Sequence, residues 1–444
     1  MTRDHNRITG MSSSVTPSLA GPPSVPSLAV PAHDTWTVPS MNATNPSTGA
    51  ADAAPDPVHP TAASGTPIGS GAPGPADATA PPPGETAAAG RAPAARRAGS
   101  APPEGAPAPA AEGTLLDSYD ALLLDLDGVV YLGRRAVPGA PEALTKAAER
   151  GVRLAYVTNN ASRTPGAIAE HLTALGVPAT PGDVVTSAQA AARLVAEGVP
   201  PGSPVLVVGG MGLRQALRAH GLRPVSTAAE EPAAVVQGIA PDLSYALLSE
   251  GVLAVRRGAW FVAANGDTTM PTARGELPGN GSMSRVIATA AGVEPVVAGK
   301  PEPPLHRESI LRTGARNPLI VGDRLDTDIA GANRAGADSL LVLTGVATPL
   351  DALTAIPVHR PTHIAADLGG LHRPPARIAH GPEGWNCGGW TASWEDGRLH
   401  LDRDATATDP LDGLRAACAA TWAAVGDGRA EDDQIKNALA TLGL

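Results

Sequence analysis

Aromatic side chains are scarce: one Phe, four Tyr and six Trp in 444 residues. A core of any size must therefore be packed mainly with Leu, Val, Ile and Ala. Cysteine is scarcer still. Cys387 and Cys418 are the only two, and neither their number nor their spacing suggests a disulfide framework or a zinc site, so a reducing cytoplasm fits. Basic charge is in deficit, with 33 Lys and Arg against 43 Asp and Glu and a net charge of -10. No electropositive face for a polyanion is implied, and nucleic acid is not an expected partner. Uninterrupted apolar runs of about 18 residues, the length of a membrane span, are missing. Arg3 and Arg7 are followed by Ser, Pro and Gly instead of an apolar signal core, so the chain reads as unexported, without a membrane partner. Length is not in deficit: this many residues can hold more than one domain and an enzyme's core.

Large apolar residues are also few between Met1 and Gly113, where 21 of the 46 prolines fall. Such a stretch cannot bury enough apolar surface to offset the entropy of ordering. It is expected to be a disordered Pro/Ala-rich tail, residues 1–114.

The first strong pattern follows at once. Tyr119-Asp120-Ala121-Leu122-Leu123-Leu124-Asp125-Leu126-Asp127-Gly128-Val129-Val130-Tyr131 places two carboxylates one residue apart behind a short apolar run. A run of that kind fits a strand buried on both faces, hence a parallel sheet covered by helices. Ligands of such sheets sit outside the carboxyl ends of the strands. Asp125 would point into that crevice and Asp127 would lie on the turn that Gly128 permits. Two acids so close repel, and a divalent cation with a taste for hard oxygen ligands, magnesium, is the simplest remedy. The four residues alone also suit a plain loop turn or half a calcium loop. The further acids and closing Glu of a calcium loop are absent from Val129, Val130, Tyr131 and Leu132.

Three further strand ends carry the same logic. Val152 to Val157 leads into Thr158-Asn159-Asn160, then a helix from Pro165 to Leu175; small polar side chains before a helix N-terminus can cradle phosphate oxygens or simply cap the helix. Val184 to Glu197 reads as a helix. Pro200-Pro201-Gly202 then breaks the pattern, and alternating strands and helices from about 203 to 294 read as an inserted α/β cap, with Asn265 to Thr272 and Pro278 to Ser282 as loops. An Asx turn explains Asp267 as well as a functional role does. Val296 to Gly299 is a short strand ending at Lys300-Pro301. Leu319-Ile320-Val321-Gly322-Asp323-Arg324-Leu325-Asp326-Thr327-Asp328-Ile329 then repeats the opening: apolar strand, glycine, carboxylates at the tip.

In this order the motifs resemble those of the haloacid-dehalogenase-like phosphatases, and the Gly-Val-Val-Tyr continuation, Thr158-Asn159-Asn160, Gly299-Lys300-Pro301 and Gly-Asp-Arg-Leu-Asp-Thr-Asp-Ile are similar to the NagD and para-nitrophenyl-phosphatase branch. The resemblance covers about Leu116 to Leu371. It implies a Rossmann-like, doubly wound parallel α/β sheet as core (115–200 and 295–371), an inserted α/β cap (201–294) and an extension of unknown role (372–444). It implies Asp125 as the nucleophile that forms an aspartyl-phosphate. Asp127 would protonate the leaving alkoxide and then deprotonate water, which requires its pKa to lie above that of a free Asp. Magnesium would rest on the carboxylates of Asp125 and Asp323 and the carbonyl of Asp127, with Asp328 holding Lys300 or a metal water. Thr158, Asn159, Asn160 and Lys300 would bind the phosphate.

The expected partner is a small phosphorylated metabolite such as a sugar phosphate or nucleotide, and a homo-oligomer is compatible with the reading. In vertebrate-type pyridoxal phosphate phosphatases a His stands near the position of Met270, which argues against a pyridoxal substrate here. The alternative is a non-catalytic scaffold on the same fold, which would have no need of both Asp125 and Asp127. From Pro374 onward, four tryptophans, strand-like alternation near Arg398 to Leu401 and a helical pattern from Leu411 to Ala424 suggest a small α+β module or a cover for a core face, with an interaction surface as the other reading.

Overall fold

The computed structural model describes residues 113–272 and 274–443; the expected tail lies outside the described residues except for its last two positions. Ala121–Leu124 is the hub of the first sheet. Its four residues are fully buried, and it pairs in parallel with Pro318–Gly322 on one side and Arg153–Thr158 on the other. Asp338–Val342 and His363–Ala365 extend the sheet beyond Pro318–Gly322, and Val184–Thr186 closes the opposite edge. All six strands are parallel, as the unbroken apolar runs require of strands covered on both faces. The chain leaves the first strand towards one edge and returns later to its other side, so the strand order reverses at Ala121–Leu124, where a ligand crevice is expected.

The stretch from Val184 is an edge strand before it is a helix. Three β-branched residues, Val184, Val185 and Thr186, pair with Tyr156, Val157 and Thr158, and β-branching favours that extended backbone. Thr186 then accepts the Gln189 N–H at 3.3 Å and starts the helix Ser187–Gly198.

A second parallel sheet follows in the order Val296–Val297, Trp260–Ala263, Ala234–Gln237, Pro204–Val208, Arg223–Val225. The expected cap ends at 294, whereas the sheet takes in the strand Val296–Val297. That strand is only two residues long, and its partner, Trp260–Ala263, is far away in sequence. One buried apolar cluster joins the two sheets, with Leu123, Val157 and Ala161 from the first and Val207, Leu213 and Val236 from the second. Thr269–Thr272 lies within a stretch read as loop from sequence, yet it pairs with Gly275–Pro278 as an antiparallel hairpin. The carboxyl-terminal segment is an antiparallel sheet, Ala379–Gly381, Gly384–Cys387, Trp390–Glu395 and Arg398–Arg403, with the helices Pro410–Val425 and Asp432–Leu442. It is both an α+β module and a cover, because Trp390, Leu411 and Leu414 share a buried cluster with Ile329, Leu341 and Leu353 of the first sheet's domain.

The helix Pro303–Thr313, which follows Lys300, is locked to Ser187–Gly198 by a buried acid. The Glu308 side chain is inaccessible to solvent, held by Arg193 Nε and by Arg312 Nε at 2.6 Å. Burial alone would raise its pKa, but the two guanidinium hydrogen bonds win and hold it below the usual Glu value. A carboxylate with a depressed pKa stabilises the fold above its unfolded pKa and loses that contribution as pH falls through the folded one. Glu308→Gln is expected to cost about 3 kcal/mol in urea denaturation at pH 7. The gap to the wild-type chain should shrink below about pH 4.5; a gap that stays constant to lower pH would contradict the ion pair's role.

Candidate active site

Three adjacent strands of the first sheet end in Thr158, Asp125 and the Gly322-Asp323 step. The Asp125 N–H continues the ladder with a 2.9 Å bond to the Val321 carbonyl, which fixes where its carboxylate emerges. Lys300 comes in from the end of the second sheet and is almost fully buried. Its Nζ donates to Asp125 Oδ1 at 2.5 Å, Asp328 Oδ1 at 2.7 Å and the Val157 carbonyl at 3.3 Å, so all three ammonium protons have acceptors. The other Asp328 oxygen accepts the Arg324 N–H at 3.1 Å. Asp328 reaches this position because Leu325–Ile329 is wound as a π-helical turn and Gly322 has no side chain; a Cβ there would collide with the Asp328 carboxyl.

Asp323 is 1% exposed. Its Oδ2 accepts the Val346 N–H at 2.8 Å and its backbone carbonyl the Ala347 N–H at 2.9 Å, while Oδ1 is buried with no protein hydrogen-bond partner. Gly128, at φ +85°, and Gly345 press against this carboxylate, and a Cβ on either would overlap it. One ligand oxygen from each of Asp125, Asp323 and Asp328 lies within 4.8 Å of the others. Burial, with Asp328 and Asp323 adding repulsion and Lys300 opposing, raises the Asp125 carboxyl to about 8. Burial and Asp328 raise Asp323 to about 6. His306, buried behind Lys300, is pushed down to about 3 by burial and by that lysine and adds no charge. Ionised together, the three carboxylates would face one ammonium, a deficit of two positive charges.

These residues fit a magnesium ion. Asp328 is spent on Lys300 and Arg324, which leaves the second oxygen of Asp125 and the orphaned Oδ1 of Asp323 as hard oxygen donors. The divalent charge matches the deficit.

Asp127, two residues beyond Asp125, is exposed. The partial desolvation of the cleft raises its pKa against the pull of Lys300, Arg163 and His171 and a hydrogen bond from Tyr131, the direction a general acid requires. Thr158 is buried and its Oγ accepts the Asn160 N–H at 3.1 Å, so its O–H proton remains to be donated elsewhere.

The two asparagines that follow do something the motif did not disclose. Asn159 accepts the Lys300 N–H at 2.8 Å and donates to the Lys300 carbonyl at 3.1 Å and to both Asp267 oxygens at 3.2 Å. It braces the lysine and the cap loop. Asn160 Oδ1 accepts from Ser162 N, Ser162 Oγ and Arg163 N, each at 3.0 Å, and shapes the turn. Asp267, ambiguous in sequence, is brought to the seam between the sheets; burial raises its pKa and the Asn159 hydrogen bond opposes. The 344–348 loop had no signal at all. It works through backbone N–H groups, which every non-proline residue has, and through Thr344 Oγ1, which donates to the Gly128 carbonyl at 2.5 Å.

Comparisons with known proteins agree with this arrangement. The sequence profile described as haloacid dehalogenase-like hydrolase matches residues 122–223, and a HAD-hydrolase-like profile matches 297–371. A profile described as GCN5-related N-acetyltransferase like domain matches 387–444. The chain is 46% identical over 315 residues to the D-glycerol 3-phosphate phosphatase of Mycobacterium tuberculosis, covering 70% of this chain and 88% of that protein. It is 40% identical over 255 residues to the 5'-nucleotidase YutF of Bacillus subtilis, covering 57% and 97%. Among solved structures, a glycerol phosphate phosphatase from Mycobacterium tuberculosis in complex with magnesium superposes with a TM-score of 0.67 at 43% identity, covering 74% of this chain and 99% of that one. The chain belongs to the haloacid dehalogenase-like hydrolase family, in its NagD and para-nitrophenyl-phosphatase-like branch.

Proposed function

We propose that this HAD-type phosphatase uses Asp125 as nucleophile to hydrolyse the phosphomonoester of a small hydroxylated metabolite, a glycerol or sugar phosphate, through an aspartyl-phosphate. The observation that carries the reading is the single Lys300 ammonium bonded to both Asp125 and Asp328. It makes Asp125 a half-neutralised carboxylate, aimed into the crevice, beside an acid already committed to holding the lysine. Magnesium, when bound by Asp125, Asp323 and the Asp127 carbonyl, supplies positive charge to the phosphate oxygens.

Asp125 attacks phosphorus in line, the ester bond breaks, and Asp127 gives its proton to the departing alkoxide. Asp127, now ionised, takes a proton from the water that attacks the aspartyl-phosphate, and the acyl-phosphate bond breaks to return the Asp125 carboxylate and release phosphate. Lys300 offsets the charge on the transferring group, and the Thr158 hydroxyl donates to one of its oxygens. Asp267 at the rim would repel a second anionic group on the substrate and accept hydrogen bonds from hydroxyls. This agrees with the D-glycerol 3-phosphate activity named for the Mycobacterium tuberculosis relative.

The purified protein is expected to release phosphate from para-nitrophenyl phosphate and from glycerol phosphate only with magnesium. Asp125→Asn should lower kcat by about a thousandfold or more. Turnover without metal, or full activity in that variant, would overturn the mechanism. Gly345→Ala pushes a methyl onto Asp323 and should raise the magnesium concentration for half-maximal rate by about tenfold; an unchanged magnesium requirement would contradict the packing described. Removing residues 1–113 should leave kcat within about twofold, since no group of the chemistry comes from that segment; a collapse in rate would give the segment a catalytic part.

A further inference from the structure

The 344–348 loop is one route by which the carboxyl-terminal module reaches the site, beside the packing of Ile329 in the cluster it shares with Trp390 and Leu411, and its two sides behave differently. On the site side it is pinned by three hydrogen bonds: Thr344 Oγ1 to the Gly128 carbonyl at 2.5 Å, Val346 N–H to Asp323 Oδ2 at 2.8 Å and Ala347 N–H to the Asp323 carbonyl at 2.9 Å. It therefore touches both the turn after Asp127 and the carboxylate with the orphaned oxygen. On the far side it runs directly into the helix Pro349–Leu353, tied to it by a reciprocal cap in which Thr348 N and Oγ1 donate to Asp351 Oδ2 at 2.9 and 2.6 Å.

A helix of five residues does not hold itself. It pays the cost of nucleation for almost no internal hydrogen bonds and leaves its terminal carbonyls short of donors. The Leu350 carbonyl accepts the Thr354 N–H and Oγ1 at 3.0 Å and the Ala352 carbonyl the Ala355 N–H at 3.3 Å; the module adds one further donor to a carbonyl and one to a side chain. Trp422 Nε1 donates to the Ala352 carbonyl at 3.1 Å, and Arg429 Nη2 to Thr354 Oγ1 at 3.2 Å. Arg360 stacks over the Trp422 ring at 5.8 Å and donates to the Gly426 carbonyl at 2.5 Å. Between the loop and the start of the helix Pro410–Val425 there is a cavity of about 450 Å³ lined by Gly345, Ala347, Thr348 and Leu411. Ala347 is buried in the cluster shared with the module, while Gly345 and Thr348 line the cavity, so the position of the rest of the loop depends on where the short helix is anchored.

We propose that the carboxyl-terminal module is the rear support of the cation site, with Trp422 as the positioning residue that fixes the 344–348 loop, and through it Asp323, by holding the helix Pro349–Leu353. The inference rests on the magnesium site described above. Trp422 touches no reacting group; it acts on how well Asp323 is preorganised for the ion. Partners one layer removed from a metal ligand are known to set affinity in this way, and a coupling of this kind needs direct measurement.

The test uses the full chain and magnesium alone, with no substrate. Trp422→Phe keeps a six-membered aromatic ring and loses the pyrrole ring with its N–H donor, and Arg429→Met removes the second donor. Calorimetric titration should show each binding magnesium about three- to tenfold more weakly, with kcat at saturating magnesium within about twofold of wild type. Leu399→Val, buried in the strand Arg398–Arg403 of the module, serves as the control: its melting temperature should fall with magnesium affinity unchanged. Wild-type affinity in both Trp422→Phe and Arg429→Met would overturn the inference, whatever their melting temperatures. Equal weakening in Leu399→Val would also overturn it, since general loosening would then explain the effect. A wild-type chain that binds no magnesium would overturn the site reading itself, and this inference with it.

Discussion

Three carboxylates buried around a single lysine are the constraint on which the rest of this structure depends. Like charges at such separations repel strongly where water is excluded, and removing charged groups from water is itself costly. The fold answers one of the three charges with Lys300, which binds Asp125 and Asp328 together. Protons on Asp125 and Asp323, whose pKa values are raised, or a divalent cation answer the other two. A site in that condition is poised to take up a divalent cation, which brings both of the positive charges it lacks.

Keeping the acids that close depends as much on absent side chains as on present ones. Gly128, Gly322 and Gly345 each leave the space a carboxyl group occupies. The lysine in turn is held from above: Asn159 grips its backbone at both ends and Asp267 of the cap loop on the other side, while Asn265 donates to the Asn159 carbonyl at 2.6 Å and Asn280 to the Asn265 carbonyl at 2.8 Å. This ladder of amides ties the second sheet to the first at the substrate side. Asparagine suits the task because one short side chain offers both donors and an acceptor.

Much of this was legible in the residues. The first strand, the acids at its tip, the lysine and the second acidic tip each follow from an apolar run ended by a polar or glycine residue, a pattern that survives without knowledge of the partners. What could not be read depends on partners. Val296–Val297 is too short to announce which sheet it joins, and Val184–Thr186 looked like the first turn of a helix because an alanine-rich run follows it. Thr269–Thr272 and Gly275–Pro278 carry Pro271, Gly275 and Pro278, which signal loop, yet pair as a hairpin. Asn159 could be taken for a phosphate ligand because nothing in an amide says whether its partner is a substrate or the neighbouring backbone. The 344–348 loop is silent because main-chain N–H groups have no sequence signature.

Anomalous scattering from a manganese-soaked crystal tests the central claim most directly, since manganese shares magnesium's preference for carboxylate and carbonyl oxygen. The account predicts one strong peak bounded by Asp125, the Asp127 carbonyl and Asp323 Oδ1, with Asp328 remaining on Lys300. A peak elsewhere, or none while Asp125 and Asp323 hold their positions, would contradict it.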